Sequence, residues 1–332
     1  MQHVRNQLPA GVKLRKGLPA SILHRLWAHA DQPGVRRLFG PVDLVHGTNF
    51  VGVPTAGHCP ELITIHDTGP WRSPEDVAPA VRRFPELAQR AVDRGAHVHT
   101  LSVAAGEQVA RLLSLPPQRV HPVLIGYDRP VDDPRLPPLP HPSDPAPFIP
   151  VLGALQPRKR VPELVAALAP VLASNDELRL IVAGDGPERE AVENAVAELG
   201  TLAGRVDMVG YVSDPEKSWI LRNALVVVSN AKAEGFGMVP LEAMSVGTPV
   251  ITSDDPALVE TTGGAAALVE IGNRSQLAAT MIQLVDDDTL RRTLVARGLE
   301  IASGRSWSDA TRELIDLYAA LVDQHRADRT GR

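Results

Sequence analysis

From Val42 onward, short runs rich in β-branched residues alternate with segments of helical period, and this alternation constrains the fold more than any other feature of the chain. Strands of this kind joined by helices pair in parallel, so the fold class is α/β. In the first part, strands are expected at Val42 to His46, Leu62 to His66, His97 to Leu101 and Val120 to Leu124, with helices near Pro74 to Asp93 and over Ser102 to Ser114. Seven prolines lie between Arg129 and Pro147, and proline lacks the backbone donor that a helix or central strand needs. A linker is therefore expected at 129–147, after a first domain over 1–128.

Beyond the linker the rhythm restarts. Strands are expected at Phe148 to Gly153, Leu178 to Ala183, Val206 to Val209, Leu225 to Ser229, Pro249 to Thr252 and Ala265 to Val269. The helices between them are expected at Val161 to Ala173, Glu188 to Leu199, Asp214 to Asn223 and Val239 to Val246, with helical sequence thereafter. This is a complete doubly wound domain over 148–305, followed by a C-terminal helix over 306–332 expected to pack back towards the first domain. The first domain reads as incomplete. Its opening 40 residues show no strand, whereas such domains begin with one followed by a Gly-rich turn.

Composition narrows the function. The 34 basic and 39 acidic residues give a net charge of −5, so no positive field surrounds the chain and nucleic acid is not an expected partner. The single cysteine, Cys59, excludes an intrachain disulfide framework and a cysteine-rich zinc site, and a cytoplasmic location is expected. Only five lysines occur, Lys13, Lys16, Lys159, Lys217 and Lys232, so a lysine in a motif-like setting invites attention. The first 40 residues are locally basic, and Leu18, Ile22 and Leu26 recur at helical spacing with Leu23 and Trp27 beside them. Such a helix either packs on the first domain or rests on an anionic membrane surface, so residues 1–40 are a candidate for peripheral contact at the inner face of the membrane.

Phosphate-loop, H-E-x-x-H and G-x-S-x-G motifs do not occur. Gly184-Asp185-Gly186 follows a strand, but Arg189 replaces the third glycine of a dinucleotide fingerprint, which argues against an oxidoreductase. His97 and His99 share a strand face without the partners a metal site needs, and no metal is expected.

The informative stretch is AEGFGMVPLEAMSVGTP, Ala233 to Pro249, a Gly-rich turn and helix between two strands. It falls at the carboxyl edge of the sheet, where α/β folds bind ligands. Gly235 and Gly237 permit a sharp turn close to a ligand, and the helix start favours an anion such as phosphate. Glu234 and Glu242 at its two ends suit hydroxyl groups of a sugar or ribose, although either alone could be a solvated or dipole-complementing carboxylate. The string Arg158-Lys159-Arg160 projects from the same edge and could neutralise a diphosphate. In the first domain, His66-Asp67 ends the strand LITIHD facing the presumed cleft; His66 could bind a substrate hydroxyl or only shape its loop.

EGFGMVPLEAMSVGTPVITSD resembles the donor-site signature of the family-four retaining glycosyltransferases, which have the GT-B architecture of two facing Rossmann-like domains. The strings VDLVHGTNF, LITIHD, LGALQPRKRVPELVAAL, LRLIVAGDGPE, VGYVSD, DPALVETTGGAAALV and GRSWSDATRELIDLY follow in the family's order, over about residues 35–322. HGTNF and PRKR are most similar to mannosyltransferase members. The resemblance implies transfer of a hexose, first mannose from GDP-mannose and next glucose from UDP-glucose, to an unidentified glycan, lipid or small-molecule acceptor, without metal or other cofactor. It implies that Glu234 holds the donor hexose, Glu242 the ribose, and Arg158 and Lys159 the diphosphate. Gly153, Gly235, Phe236, Gly237, Met238 and Val239 would border the donor, with Gly210 and Tyr211 near the base and His66 beside the reacting sugar. The family's first strand and Gly-rich loop are expected upstream of Met1 or are missing. In the latter case the chain would be a descendant that only binds nucleotide or nucleotide sugar.

Overall fold

The computed structural model describes residues 12, 17–130, 146–304 and 306–330. Most of the proline-rich 129–147 segment, and the basic residues Arg5, Lys13, Arg15 and Lys16, lie outside the described residues.

The first sheet contains β1 (Val45–Gly47), β2 (Glu61–Ile65), β3 (His97–Thr100) and β4 (Val120–Pro122), parallel and in that order. Around it lie α1 (Ala20–His29), α2 (Val35–Phe39), α3 (Gly69–Arg72), α4 (Phe84–Asp93) and α5 (Val103–Leu112). Every residue of β2 is buried, as a central parallel strand requires. Leu87, Ala88, Ala91 and Val92 of α4 fall at helical spacing on one face and pack with Ile63, Ile65 and Val98. The helix expected from Pro74 is instead a single turn at Pro74–Asp76 followed by a helix that begins at Phe84. Pro79 and Pro85 explain the correction: neither can donate within a helix, and only a start beside Pro85 accommodates one. In α1, Trp27 is buried, whereas Ile22 and Leu26, and Leu18 just before the helix, are exposed, so the apolar stripe is only partly used as core. No described helix is long and apolar enough to cross a membrane.

The second domain is built from β5 (Phe148–Leu152), α6 (Val161–Ala167), α7 (Ala169–Ser174), β6 (Arg179–Ala183), α8 (Arg189–Ala197), β7 (Val206–Gly210), α9 (Asp214–Asn223) and β8 (Val227–Ser229). Then come α10 (Met238–Ser245), β9 (Val250–Ser253), α11 (Pro256–Thr262), β10 (Ala267–Val269), α12 (Arg274–Asp286), α13 (Asp288–Ala302) and α14 (Trp307–Thr330). The single helix expected over Val161 to Ala173 is broken at Leu168, because Pro170 fits only the first turn of a new helix. Helix α11 was not anticipated.

Two parallel ladders, β5-β6-β7 and β8-β9-β10, meet where β8 lies beside β5 and Leu225 N–H donates to the Phe148 carbonyl at 2.9 Å. The resulting run, β7-β6-β5-β8-β9-β10, reverses direction between β5 and β8, the switch point at which doubly wound sheets bind ligands. Side chains alternate across it: Ile149 and Val151 join one core cluster, Phe148 and Leu152 the other.

Helix α14 returns to the first domain. The Tyr318 hydroxyl and His46 Nδ1 are 2.6 Å apart, His46 Nε2 and Thr64 Oγ1 2.7 Å, and Thr64 Oγ1 and His99 Nδ1 2.9 Å. The Val123 carbonyl can only accept from His99 Nε2, at 3.2 Å. With both imidazoles neutral, that fixes every proton: Tyr318 donates to His46, His46 to Thr64, Thr64 to His99, and His99 to Val123. His97 instead pairs with His121 at 2.9 Å.

Candidate active site

A cavity of about 240 Å³ opens at the carboxyl ends of β5 and β8. Its second-domain wall comes from Val151–Ala154, Arg158, Lys159, Val228–Asn230 and Glu234–Pro240; His66 and Asp67 from the end of β2 face it from the first domain. His66, Gly153, Arg158, Lys159, Glu234, Gly235, Phe236, Gly237, Met238 and Val239 are thus brought together.

The loop before α10 is shaped from both domains. A Cβ placed on Gly235 would overlap the His66 carbonyl oxygen, so only glycine lets the loop and β2 approach this closely. Gly237 takes φ of +104° at the N-cap of α10, and no side chain caps that helix. Its first N–H groups are therefore available to an anion. Ser102 of the first domain donates to the Gly235 carbonyl at 2.8 Å, and Thr261 donates to that of Phe236. Lys232 N–H donates to the Arg158 carbonyl at 2.8 Å, tying this loop to the one after β5.

Within the cavity, Arg158 Nη1 lies 2.8 Å from Glu234 Oε2, and Lys159 Nζ pairs with Oε1 of the same carboxylate. Burial alone would push the Glu234 carboxyl up, but Lys159 and Arg158 outweigh it and hold the group below the ordinary carboxylate value. The buried site thus holds two cations against one anion. Such a set can exchange its internal carboxylate for an incoming diphosphate, with the freed carboxylate then accepting hydroxyl protons.

Other expected residues lie elsewhere. Arg160, at φ 54°, turns away from the cavity to Glu163 at 3.3 Å and packs near Gly272. Glu242 lies in an adjoining cavity of about 490 Å³ that shares Met238; it is buried and paired with Lys217 at 2.8 Å. Gly210 and Tyr211 are not among the residues bordering either cavity, and Tyr211 is 87% exposed.

Three participants went unforeseen. Lys217 and Lys232 had a signal in the scarcity of lysine; Lys232 pairs with Asp76 across the domains. Glu260 had none: its carboxylate accepts from Val103 N–H at 2.9 Å and Ala104 N–H at 2.7 Å, capping α5 of the other domain.

Residues 139–300 match the family described as glycosyl transferases group 1. That segment, just under half of the chain, is similar to group 1 glycosyltransferases. O-antigen chain mannosyltransferase B of Escherichia coli is 28% identical over 295 residues, covering 84% of this chain and 74% of that one. Phosphatidyl-myo-inositol mannosyltransferase of Mycolicibacterium smegmatis is 34% identical over 166 residues, 49% of this chain; the chain spans only 42% of that relative's length. Sucrose-phosphate synthase from Thermosynechococcus elongatus superposes with a TM-score of 0.71 at 20% identity, covering 96% of this chain and 82% of that one. Anabaena HepE in complex with UDP-glucose gives 0.68 at 20% identity, covering 100% and 89%. At that identity these likenesses show the fold, and the fold of the chain is GT-B, as the sequence resemblance implies.

Proposed function

We propose that the protein transfers a hexose from a nucleoside-diphosphate sugar to a hydroxyl of a glycan, lipid or small-molecule acceptor, with retention at the anomeric carbon and without a metal ion. GDP-mannose is the first donor of this proposal and UDP-glucose the second. One observation carries it: Arg158, Lys159, Glu234 and the uncapped start of α10 converge on one cavity at the sheet's switch point, opposite His66 of the other domain. The mannosyltransferase relatives, and the UDP-glucose bound to HepE, support a nucleotide sugar as the ligand.

In this reading Arg158 and Lys159 take the diphosphate, and the N–H groups near Phe236 to Val239 take its distal phosphate. Glu234, released from its cations, accepts hydroxyls of the hexose, and Glu242 those of the ribose. Gly153 keeps the β5 turn open to the donor, Gly210 and Tyr211 border the base, and His66 lies beside the reacting sugar. The protein then acts by positioning two substrates and stabilising charge on the departing diphosphate. The division at 129–147, with 148–305 as the donor domain, belongs to the same proposal. So does a cytoplasmic location with the exposed stripe of α1 against the inner face of the membrane.

Calorimetry with GDP and UDP in the presence of EDTA tests the site, and mass spectrometry of GDP-mannose and UDP-glucose reactions tests transfer. Failure of both nucleotides to bind would overturn the proposal.

A further inference from the structure

A second interdomain cavity of about 450 Å³ adjoins the first and shares His66, Asp67 and Arg158 with it. Its size lies within the range of small-molecule sites, about 300–1,000 Å³. Because the two cavities meet at His66, a molecule seated in the second faces the sugar of a donor seated in the first.

The lining has a definite chemistry. Phe50, Val77, Val81 and Phe84 form an apolar wall on the first domain. Two carboxylates and two cations complete it: Asp67, Asp76, Arg158 and Lys232. Both cations are engaged, Lys232 with Asp76 and Arg158 with Glu234. Asp67 accepts from Gly69 N–H at 2.8 Å through Oδ1 and, among the described residues, has no cation within ion-pair distance. With a donor in place, an entering phosphate would meet this uncompensated carboxylate while Lys232 was neutralised by Asp76 and Arg158 by the donor's diphosphate, a repulsive arrangement. A neutral ring bearing several hydroxyls would instead donate to Asp67 and Asp76 and lay its C–H face on the apolar wall.

We infer that this cavity receives the acceptor as a neutral, hydroxyl-rich ring, a sugar or cyclitol without a phosphate on the bound ring. The inference rests on the transferase reading of the neighbouring cavity. In the step it serves, an acceptor hydroxyl oxygen bonds to the anomeric carbon of the donor. The bond from that carbon to the phosphate oxygen breaks, its electron pair leaves with the nucleoside diphosphate, and the hydroxyl proton passes to that departing phosphate.

Saturation-transfer NMR of the full chain, with and without saturating GDP or UDP, tests the inference. The probes are methyl α-D-mannopyranoside, methyl α-D-glucopyranoside and myo-inositol, each against its monophosphate. At least one neutral ring should bind at least fivefold more tightly than its monophosphate, and Asp67→Asn, which keeps the acceptor oxygen for Gly69, should reduce that preference to under twofold. A monophosphate that binds as tightly as its neutral ring, an unchanged preference in Asp67→Asn, or no binding of any neutral ring overturns the inference. Loss of nucleotide binding with ring binding retained would instead count against the transferase reading.

Discussion

Gly235 of the second domain packs on the main-chain carbonyl of His66 in the first, leaving no room for a side chain between them. Backbone rather than side chains therefore sets the width of the cleft at the point where the two proposed substrates meet. Gly235→Ala should force the domains apart there and reduce kcat/KM for sugar transfer at least 100-fold, with the circular dichroism spectrum unchanged. Near-normal turnover in that variant would show that the close approach is dispensable.

The cations and carboxylate of the donor cavity predict a split between variants. Arg158→Ala with Lys159→Ala should weaken GDP or UDP binding by about 2–4 kcal/mol, on the scale of charge-assisted hydrogen bonds. The double variant also leaves the buried Glu234 carboxylate unpaired, so its melting temperature should fall too. Glu234→Gln should damage transfer far more than nucleotide affinity, whereas Glu242→Gln should weaken nucleotide binding. Calorimetry and initial rates read the two effects, and the reverse pattern would refute the assigned roles.

Glu260 joins the domains without touching the cavity. Glu260→Ala frees two N–H groups at the start of α5 to water and removes a negative charge from a helix N-terminus. Nucleotide affinity should change less than twofold, because Arg158 and Lys159 are untouched, while the fraction of closed molecules falls. Small-angle scattering should show a larger radius of gyration, and kcat/KM should drop about tenfold; an unchanged radius would count against a closing role.

Burial, with His99 and His66 adding to it, lowers the pKa of His46 from 6.5 to about 4. Burial, with His121 and Arg119, does the same to His97. Between these values the unfolded chain takes up protons that the folded chain refuses, so stability is full above pH 6.5 and is lost as pH falls towards 4. The urea midpoint should be lower at pH 5 than at pH 7, and His46→Gln should reduce the difference between the two.

The exposed side chains Leu18, Ile22 and Leu26 share α1 and its approach with exposed Arg25 and no acidic residue, and exposed Arg36, Arg37 and Phe39 follow in α2. Sedimentation with anionic liposomes should show binding at low salt that is reversed by high salt and reduced by Arg36→Glu with Arg37→Glu. Equal pelleting at both salt concentrations would point to apolar self-association instead.

Period and punctuation made much of the fold legible. Strand β2 was visible as a short run rich in β-branched residues, and α9 as a helix over Asp214 to Asn223, whose start the structure shows closed by a capping box of Ser213 and Glu216. The Gly-rich turn at 235–237 was visible because its glycines stand together in the sequence, whereas the close approach to the His66 carbonyl that requires Gly235 was not. The break at Leu168 required weighing Pro170 against a favourable apolar pattern, and the pattern dominated the expectation. The pairings of Glu234 with Arg158 and Lys159, Lys232 with Asp76, and Glu260 with Val103 join residues more than 70 positions apart. Tertiary folding creates such contacts, and no local spacing announces them.

The hydrogen bond between His46 and Tyr318 spans 272 positions. A ribosome adding roughly 5–20 residues per second delivers Tyr318 on the order of tens of seconds after His46 has emerged. Throughout that interval Thr64 and His99 lie in a nascent domain whose terminal proton donor has yet to be made. Vectorial synthesis thus leaves the earliest-formed sheet as the last to have its polar interior satisfied, and a stalled chain ending before α14 would present His46 without its donor to the folding and quality-control machinery of the cell.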